Sequence, residues 1–151
     1  MIVNPDPSDE PKPLENTGRL LLRAIRAFEA DLAARLRARG YTDARLAHSA
    51  VFAHLGRDGS RVVDLAERAG MTKQSMGELV EDLVVKGYLE RRADPTDRRA
   101  KLVVATARGR RHIGDALDEI ERIEESYRAQ LGETKMKELR SMLAAIAAQR
   151  R

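Results

Sequence analysis

Lys73, Gln74 and Ser75 stand in a row, and Arg91, Arg92, Arg98, Arg99 and Lys101 follow shortly after. These side chains suit the recognition of nucleic acid. Lysine reaches phosphate or guanine, glutamine can bond adenine through two atoms, and serine bonds bases or phosphate. Arginines on a narrow projection suit a minor groove, where the negative potential is focused. Asp97 lies among them and would repel phosphate; it reads as an internal partner for a nearby arginine that orders the projection.

The elements needed to position these groups are legible around them. Leu65, Ala66 and Ala69 give a short helix one apolar face, and Gly70 ends it. Thr72 is a good N-cap for a second helix. Met76, Leu79, Val80 and Leu83 recur at spacings of three and four and form its buried side. Lys73, Gln74, Ser75 and Gly77 then fall at its start and off that side, as in helix-turn-helix docking. Lys86-Gly87 reads as a helix stop. Tyr88 to Arg92, a turn at Asp94 to Asp97 and a return run from Lys101 to Ala105 predict a two-stranded hairpin, to which Ser60 to Val62 could add a short third strand. A plain helical hairpin with a solvated face would account for the first half alone. The arginine-rich wing favours DNA.

The segment resembles the MarR-type winged helix-turn-helix transcriptional regulators. The likeness is carried by Leu65 to Ser75, by Leu79-Val80 to Leu83, and by Lys86 to Arg91. Its most specific part is Asp94-Pro95-Thr96-Asp97-Arg98-Arg99-Ala100-Lys101, continuing to Thr106, with an Asp-x-Arg at Asp97 and Arg99. It extends over the helical frame from about Thr17 onward. The resemblance implies a homodimer on pseudo-palindromic promoter DNA, usually a repressor relieved by a ligand or oxidant. It also implies that Arg99 enters a minor groove and that Asp97 orients the wing. Two departures stand out. Glu78, with Glu81 and Asp82 behind it, puts acid on the recognition helix, and Ala105 precedes Thr106 where an apolar β-former is commoner.

Composition bounds the remaining possibilities. The chain has 151 residues, a 34% charged content and a net charge of +4. Between residues 91 and 111 there are eight Lys or Arg against two Asp or Glu, so the positive field is concentrated on the wing and its return. There is no cysteine, which excludes thiol redox sensing and thiolate metal sites. No stretch is apolar enough to span a membrane, and the first residues lack a signal-peptide pattern, so a cytoplasmic location is expected. His48, His54 and His112 form no catalytic or metal-ligand spacing, and no phosphate loop or nucleophile elbow occurs. No enzyme, cofactor or metal is expected. His112, after Arg110-Arg111, reads as part of the basic surface.

The flanking segments read as a frame. Leu21, Ala24, Ile25, Phe28, Leu32 and Leu36 stripe a helix from about Glu15 to Arg39. A second helix is predicted from Ala44 to Leu55, with Leu46, Ala47, Ala50 and Val51 inward. A long helix from about Thr106 to Leu131 and a last one from about Glu133 to Arg150 carry apolar stripes suited to pairing across a two-fold axis. The family likeness places a ligand crevice beside the second helix, where Tyr41, His48 and Phe52 would line it; packed core residues are the plainer alternative.

The reading is a mainly α fold: a winged helix-turn-helix with a two-stranded β-wing, open to a third strand, and N- and C-terminal dimerisation helices. Residues 1–14 form a disordered lead and 15–151 a single domain, with a DNA-binding lobe at 57–111 and dimerisation helices at 15–39 and 112–151. The expected function is sequence-specific promoter binding as a homodimer, through Thr72, Lys73, Gln74, Ser75, Arg91, Arg98, Arg99 and Lys101, with a small aromatic or phenolic effector. The alternative is a winged-helix interaction module whose basic wing binds an acidic partner.

Overall fold

The computed structural model describes residues 16–148. The expected N-terminal lead at 1–14 therefore lies outside the described residues. Helix α1 (Thr17–Ala38) begins where Asn16 accepts a hydrogen bond from the Arg19 amide. A 3-10 turn (Leu46–His48) leads into the single-turn helix α2 (Ser49–Phe52). Then follow α3 (Val62–Ala69), α4 (Lys73–Val85), β1 (Leu89–Asp94), β2 (Asp97–Ala105), α5 (Ala107–Leu131) and α6 (Glu133–Ala148).

The lobe core is built from α2, α3, α4 and the hairpin. Val51, Leu65, Met76, Val80, Leu83, Tyr88 and Val103 are fully buried in it. The α3–α4 corner follows from local chemistry. Gly70 caps α3 at φ 64°, a left-handed conformation that a Cβ disfavours. Thr72 accepts the Ser75 amide at 3.1 Å and starts α4.

The frame is held to the lobe and to itself by different means. α5 starts hard against the hairpin: a Cβ on Gly109 would stand 2.1 Å from the Tyr88 carbonyl oxygen. Thr106, the N-cap of α5, donates its amide to the same oxygen at 3.0 Å. Between α1 and α5 the contact is ionic. Glu119 is buried, and Arg39 Nε and Arg122 Nη1 reach it at 2.7 and 2.6 Å, with Arg35 at 3.5 Å. Burial works against its charge, yet the arginines hold its carboxyl below the usual range.

Several expectations are corrected here. The second helix does not run from Ala44 to Leu55. It starts as a 3-10 turn, which advances the chain by three residues per turn and rotates the stripe read at 3.6. Val51 faces the core as expected and Ala50 is half-buried, but Leu46 and Ala47 are exposed and His48 is buried in their place. The third strand is a single bridge, Ser60 to Val103, because Val62 already belongs to α3. The return strand begins at Asp97 rather than Lys101, leaving Pro95 and Thr96 as the turn. In α1, Ala24 and Ile25 of the predicted stripe are exposed, and no residue of that helix is buried within one chain.

Candidate nucleic-acid interface and adjoining cavity

Lys73, Gln74 and Ser75 occupy the first turn of α4 and are exposed, with Thr72 beside them. Gln74 Nε2 donates to Glu78 Oε1 at 3.3 Å, so the acid on this face meets a side chain of its own helix. Behind them, Glu81 pairs with Arg91 of β1 at 3.2 Å, which ties the base of the wing to the flank of α4.

The wing carries an irregularity where its arginines sit. Ala93 pairs with Lys101 and Asp94 with Asp97, so residues 98–100 of the return strand have no partner opposite. Such bulges re-aim side chains. Arg99 and Lys101 are exposed; the side chain of Arg98 lies outside the described residues. Arg92 is exposed and leans back to Glu90 at 2.5 Å.

Asp94, read from the sequence only as part of the turn, sits at the tip of the wing. Its carboxylate is buried, accepts from Arg61 Nε and Nη2 at 2.8 and 2.6 Å, and accepts from the Thr96 amide and hydroxyl at 2.8 and 2.7 Å. The Thr96 bonds and the Arg61 guanidinium pull its pKa down to about 2. Asp97 is exposed, accepts the Arg99 amide at 3.0 Å and lies 3.7 Å from Arg61. Two aspartates thus share Arg61. The Asp-Pro-Thr turn was the available signal, since an Asp two residues before a Thr amide makes an Asx turn.

Tyr41, His48 and Phe52 lie in the wall of one cavity of about 170 Å³, between α1, the α2 turn and α5. Most of its wall is apolar, including Leu32, Leu36, Ile113 and Ile120. His112 is also in this wall, which corrects its expected place on the basic surface. A helix turns about 100° per residue, so His112 shares its side with buried Gly109, Glu119 and Ile123, not with exposed Arg110 and Arg111. Its ring packs 4.6 Å from both Tyr41 and Phe52 and 5.2 Å from Tyr88. Burial lowers its pKa, and Nδ1 is enclosed with no hydrogen-bond partner among the described residues.

His48 is buried and engaged at both nitrogens. Nδ1 accepts the Arg45 amide at 2.9 Å, which puts the ring proton on Nε2, 2.8 Å from Asp82 Oδ2. Burial lowers its pKa, in keeping with a neutral ring. Asp82 also receives Lys86 and Arg45, and these donors, Lys86 foremost, hold its carboxyl well below the usual range. Nearby, Tyr88 donates to Asp43 at 2.7 Å, and Arg108 reaches Asp43 at 3.0 Å while covering the Tyr88 ring at 4.1 Å. Tyr41 bonds Asp115, which also meets Arg39.

A family model for the MarR family matches residues 39–100, the stretch that holds the α2 turn, the α3–α4 corner and most of the hairpin. Residues 39–100 are similar to the MarR family. Solved structures agree over the whole frame. CouR from Rhodococcus jostii RHA1 bound to p-coumaroyl-CoA is 27% identical, with a TM-score of 0.70 over 88% of this chain and 92% of that one. The transcriptional repressor CouR bound to a 23-mer DNA duplex is 25% identical, with a TM-score of 0.70 over 87% and 92%. A MarR-family transcriptional regulator from Rhodococcus sp. RHA1 is 26% identical, with a TM-score of 0.68 over 86% and 91%. Comparison with curated proteins found no match. Over residues 39–100 the chain resembles DNA-binding transcriptional regulators. Among the described residues no helix is long and apolar enough to cross a membrane.

Proposed function

We propose that this protein is a MarR-family regulator that works in the cytoplasm as a homodimeric repressor, binds pseudo-palindromic promoter DNA and is released by a small aromatic or phenolic effector. The observation that carries the reading is the pairing of an exposed Lys73-Gln74-Ser75 at the start of α4 with a bulged wing bearing exposed Arg99 and Lys101. In this reading Thr72 to Ser75 meet the major groove, and Arg99, with Arg98, enters the minor groove. Arg91 and Lys101 hold phosphate, and Asp97 helps orient the wing.

Dimerisation is supported by apolar side chains left in solvent by one chain. Leu20, Leu22 and Ile25 on α1, Leu117 on α5, and Met142, Leu143 and Ile146 on α6 are all exposed. Faces of this kind are normally buried by a partner. A two-fold pair would set two recognition helices about 10 bp apart. The effector reading is supported by the apolar cavity beside His48 and Phe52, and by the ligand and DNA complexes of CouR. An acidic protein partner for the wing has no observation in its favour.

The deciding experiment is a fluorescence-anisotropy titration of the DNA just upstream of the protein's own gene, at two salt concentrations, against a scrambled duplex. Tight, salt-sensitive preference for the native fragment is expected. Equal weak binding to both duplexes would remove the sequence-specific reading, and no binding at low salt would restore the protein-interaction alternative.

A further inference from the structure

The exposed side of α4 carries three acids, and they are not alike. Each helical residue turns the chain by about 100°, so Gln74, Glu78 and Glu81 lie together, opposite buried Met76, Val80 and Leu83. Glu81 is neutralised by Arg91 at 3.2 Å, and Asp82, farther round, by Lys86 and Arg45 at 2.8 and 2.6 Å. Glu78 is exposed and meets no cation among the described residues. Its contact is with an amide: Gln74 Nε2 donates to Glu78 Oε1 at 3.3 Å.

We propose that Glu78 is a specificity-determining residue, whose carboxylate accepts from the N4 amino group of a cytosine in each half-site, beside an adenine read by Gln74. This rests on the promoter-binding reading above and gives its recognition helix a base to prefer.

Charge decides what Glu78 can meet. A free carboxylate is repelled by phosphate, so on this face it weakens binding to DNA of any sequence. Only a donor on a base edge offsets that cost. In the major groove guanine presents N7 and O6 and thymine presents O4, all of them acceptors. Adenine sets its N6 donor beside the N7 acceptor, whereas cytosine presents the N4 donor alone. Cytosine is therefore the base a carboxylate prefers, and guanine the base it rejects most. A repulsive group of this kind selects by what it excludes.

The Gln74 contact fixes the second base. A carboxylate only accepts, so the end of the Gln74 amide turned toward it is the nitrogen. The Gln74 Oε1 and the second N–H of Nε2 are left to meet N6 and N7 of adenine. About one helical turn, ~5.4 Å, separates the two residues, against ~3.4 Å per base pair, so the two bases fall within about two base pairs of each other. Gly77 flanks the pair, and a Cβ built there would meet nothing within 4 Å. The bare backbone lets this side of α4 approach the base edges.

The test is selection of bound duplexes from a random-sequence pool by the full chain, as wild type, Glu78→Ala and Gln74→Ala, followed by anisotropy titration of the selected duplex. Wild type should select a fixed cytosine in each half-site, and Glu78→Ala should lose that position and keep the others. Replacing the cytosine should weaken wild type about tenfold and Glu78→Ala hardly at all. N4-methylcytosine, which keeps the base pair but caps the N–H in the major groove, should likewise weaken wild type and spare Glu78→Ala. On a scrambled duplex Glu78→Ala should bind more tightly than wild type, because one negative charge is gone. Identical motifs from wild type and Glu78→Ala overturn the proposal. So does a loss confined to the adenine position, as expected of Gln74→Ala, since Glu78 would then only brace Gln74. If wild type selects no motif, the proposal and the sequence-specific reading fall together; a motif from wild type upholds that reading whatever Glu78→Ala does.

Discussion

Arg61 and Asp94 meet through two hydrogen bonds, at 2.8 and 2.6 Å, between the start of α3 and the tip of the wing. The pair joins residues 33 positions apart and gives the wing tip a buried carboxylate. The folded carboxyl titrates near 2 against an ordinary 3.8. A depressed carboxyl stabilises the fold above its unfolded pKa, and that stabilisation is lost as pH falls through the folded value. Stability should therefore drop between about pH 4 and about pH 2. Asp94→Asn should melt several degrees lower at neutral pH and show a flatter acid limb, as read by circular dichroism.

Arg99 sits in the unpaired stretch of the return strand and is exposed. Arg99→Ala should weaken promoter binding by about 1–3 kcal/mol and relax the preference for the native fragment. Its sedimentation and melting should match wild type. Unchanged affinity in the anisotropy titration would remove the wing from the proposed interface.

Gly109 has no room for a methyl group against the Tyr88 carbonyl. Alanine is the better helix former, and on propensity alone it should stabilise α5 by about 1 kcal/mol. The steric term decides the sign here. Gly109→Ala should cost about 1–3 kcal/mol in urea denaturation, as overpacked sites do. A stabilised variant would show that α5 does not seat on the hairpin this closely.

His48 and His112 are both buried, and burial lowers the pKa of each from 6.5. A buried base that resists protonation takes up fewer protons folded than unfolded, so stability is lost as pH falls below about 6.5. His112→Phe removes one of the two and also the enclosed Nδ1 that lacks a partner. Its urea midpoint should rise slightly at about pH 7.5 and fall less than that of wild type on going to about pH 5.5. Equal pH slopes for the two proteins would show that His112 titrates normally.

What could be read from the sequence was local. Gly70 and Thr72 announce the corner because a left-handed cap and an N-cap depend on one or two residues. The face of Met76, Val80 and Leu83 needed only helical spacing, and those three are buried. What escaped was set by distant partners. The bulge at residues 98–100 accompanies the Arg61–Asp94 contact, and no short window contains both residues. The 3-10 start that turned Leu46 outward accompanies a ring nitrogen of His48 bonded to the Arg45 amide. His112 was misplaced for a simpler reason: its sequence neighbours are arginines, but its helical neighbours Gly109, Glu119 and Ile123 are buried. Counting by threes and fours from Gly109 would have found it.

The close seat of Gly109 also has a mechanical meaning. Because the first turn of α5 is welded to the hairpin by Thr106 and Gly109, that end of the helix takes its direction from the wing. The helix is 25 residues long, so it extends about 37 Å from that weld. It is a lever with its short end in the DNA-reading lobe. Each degree by which that lobe tilts is delivered as about 0.6 Å of sideways travel at Leu131, where α6 begins its return.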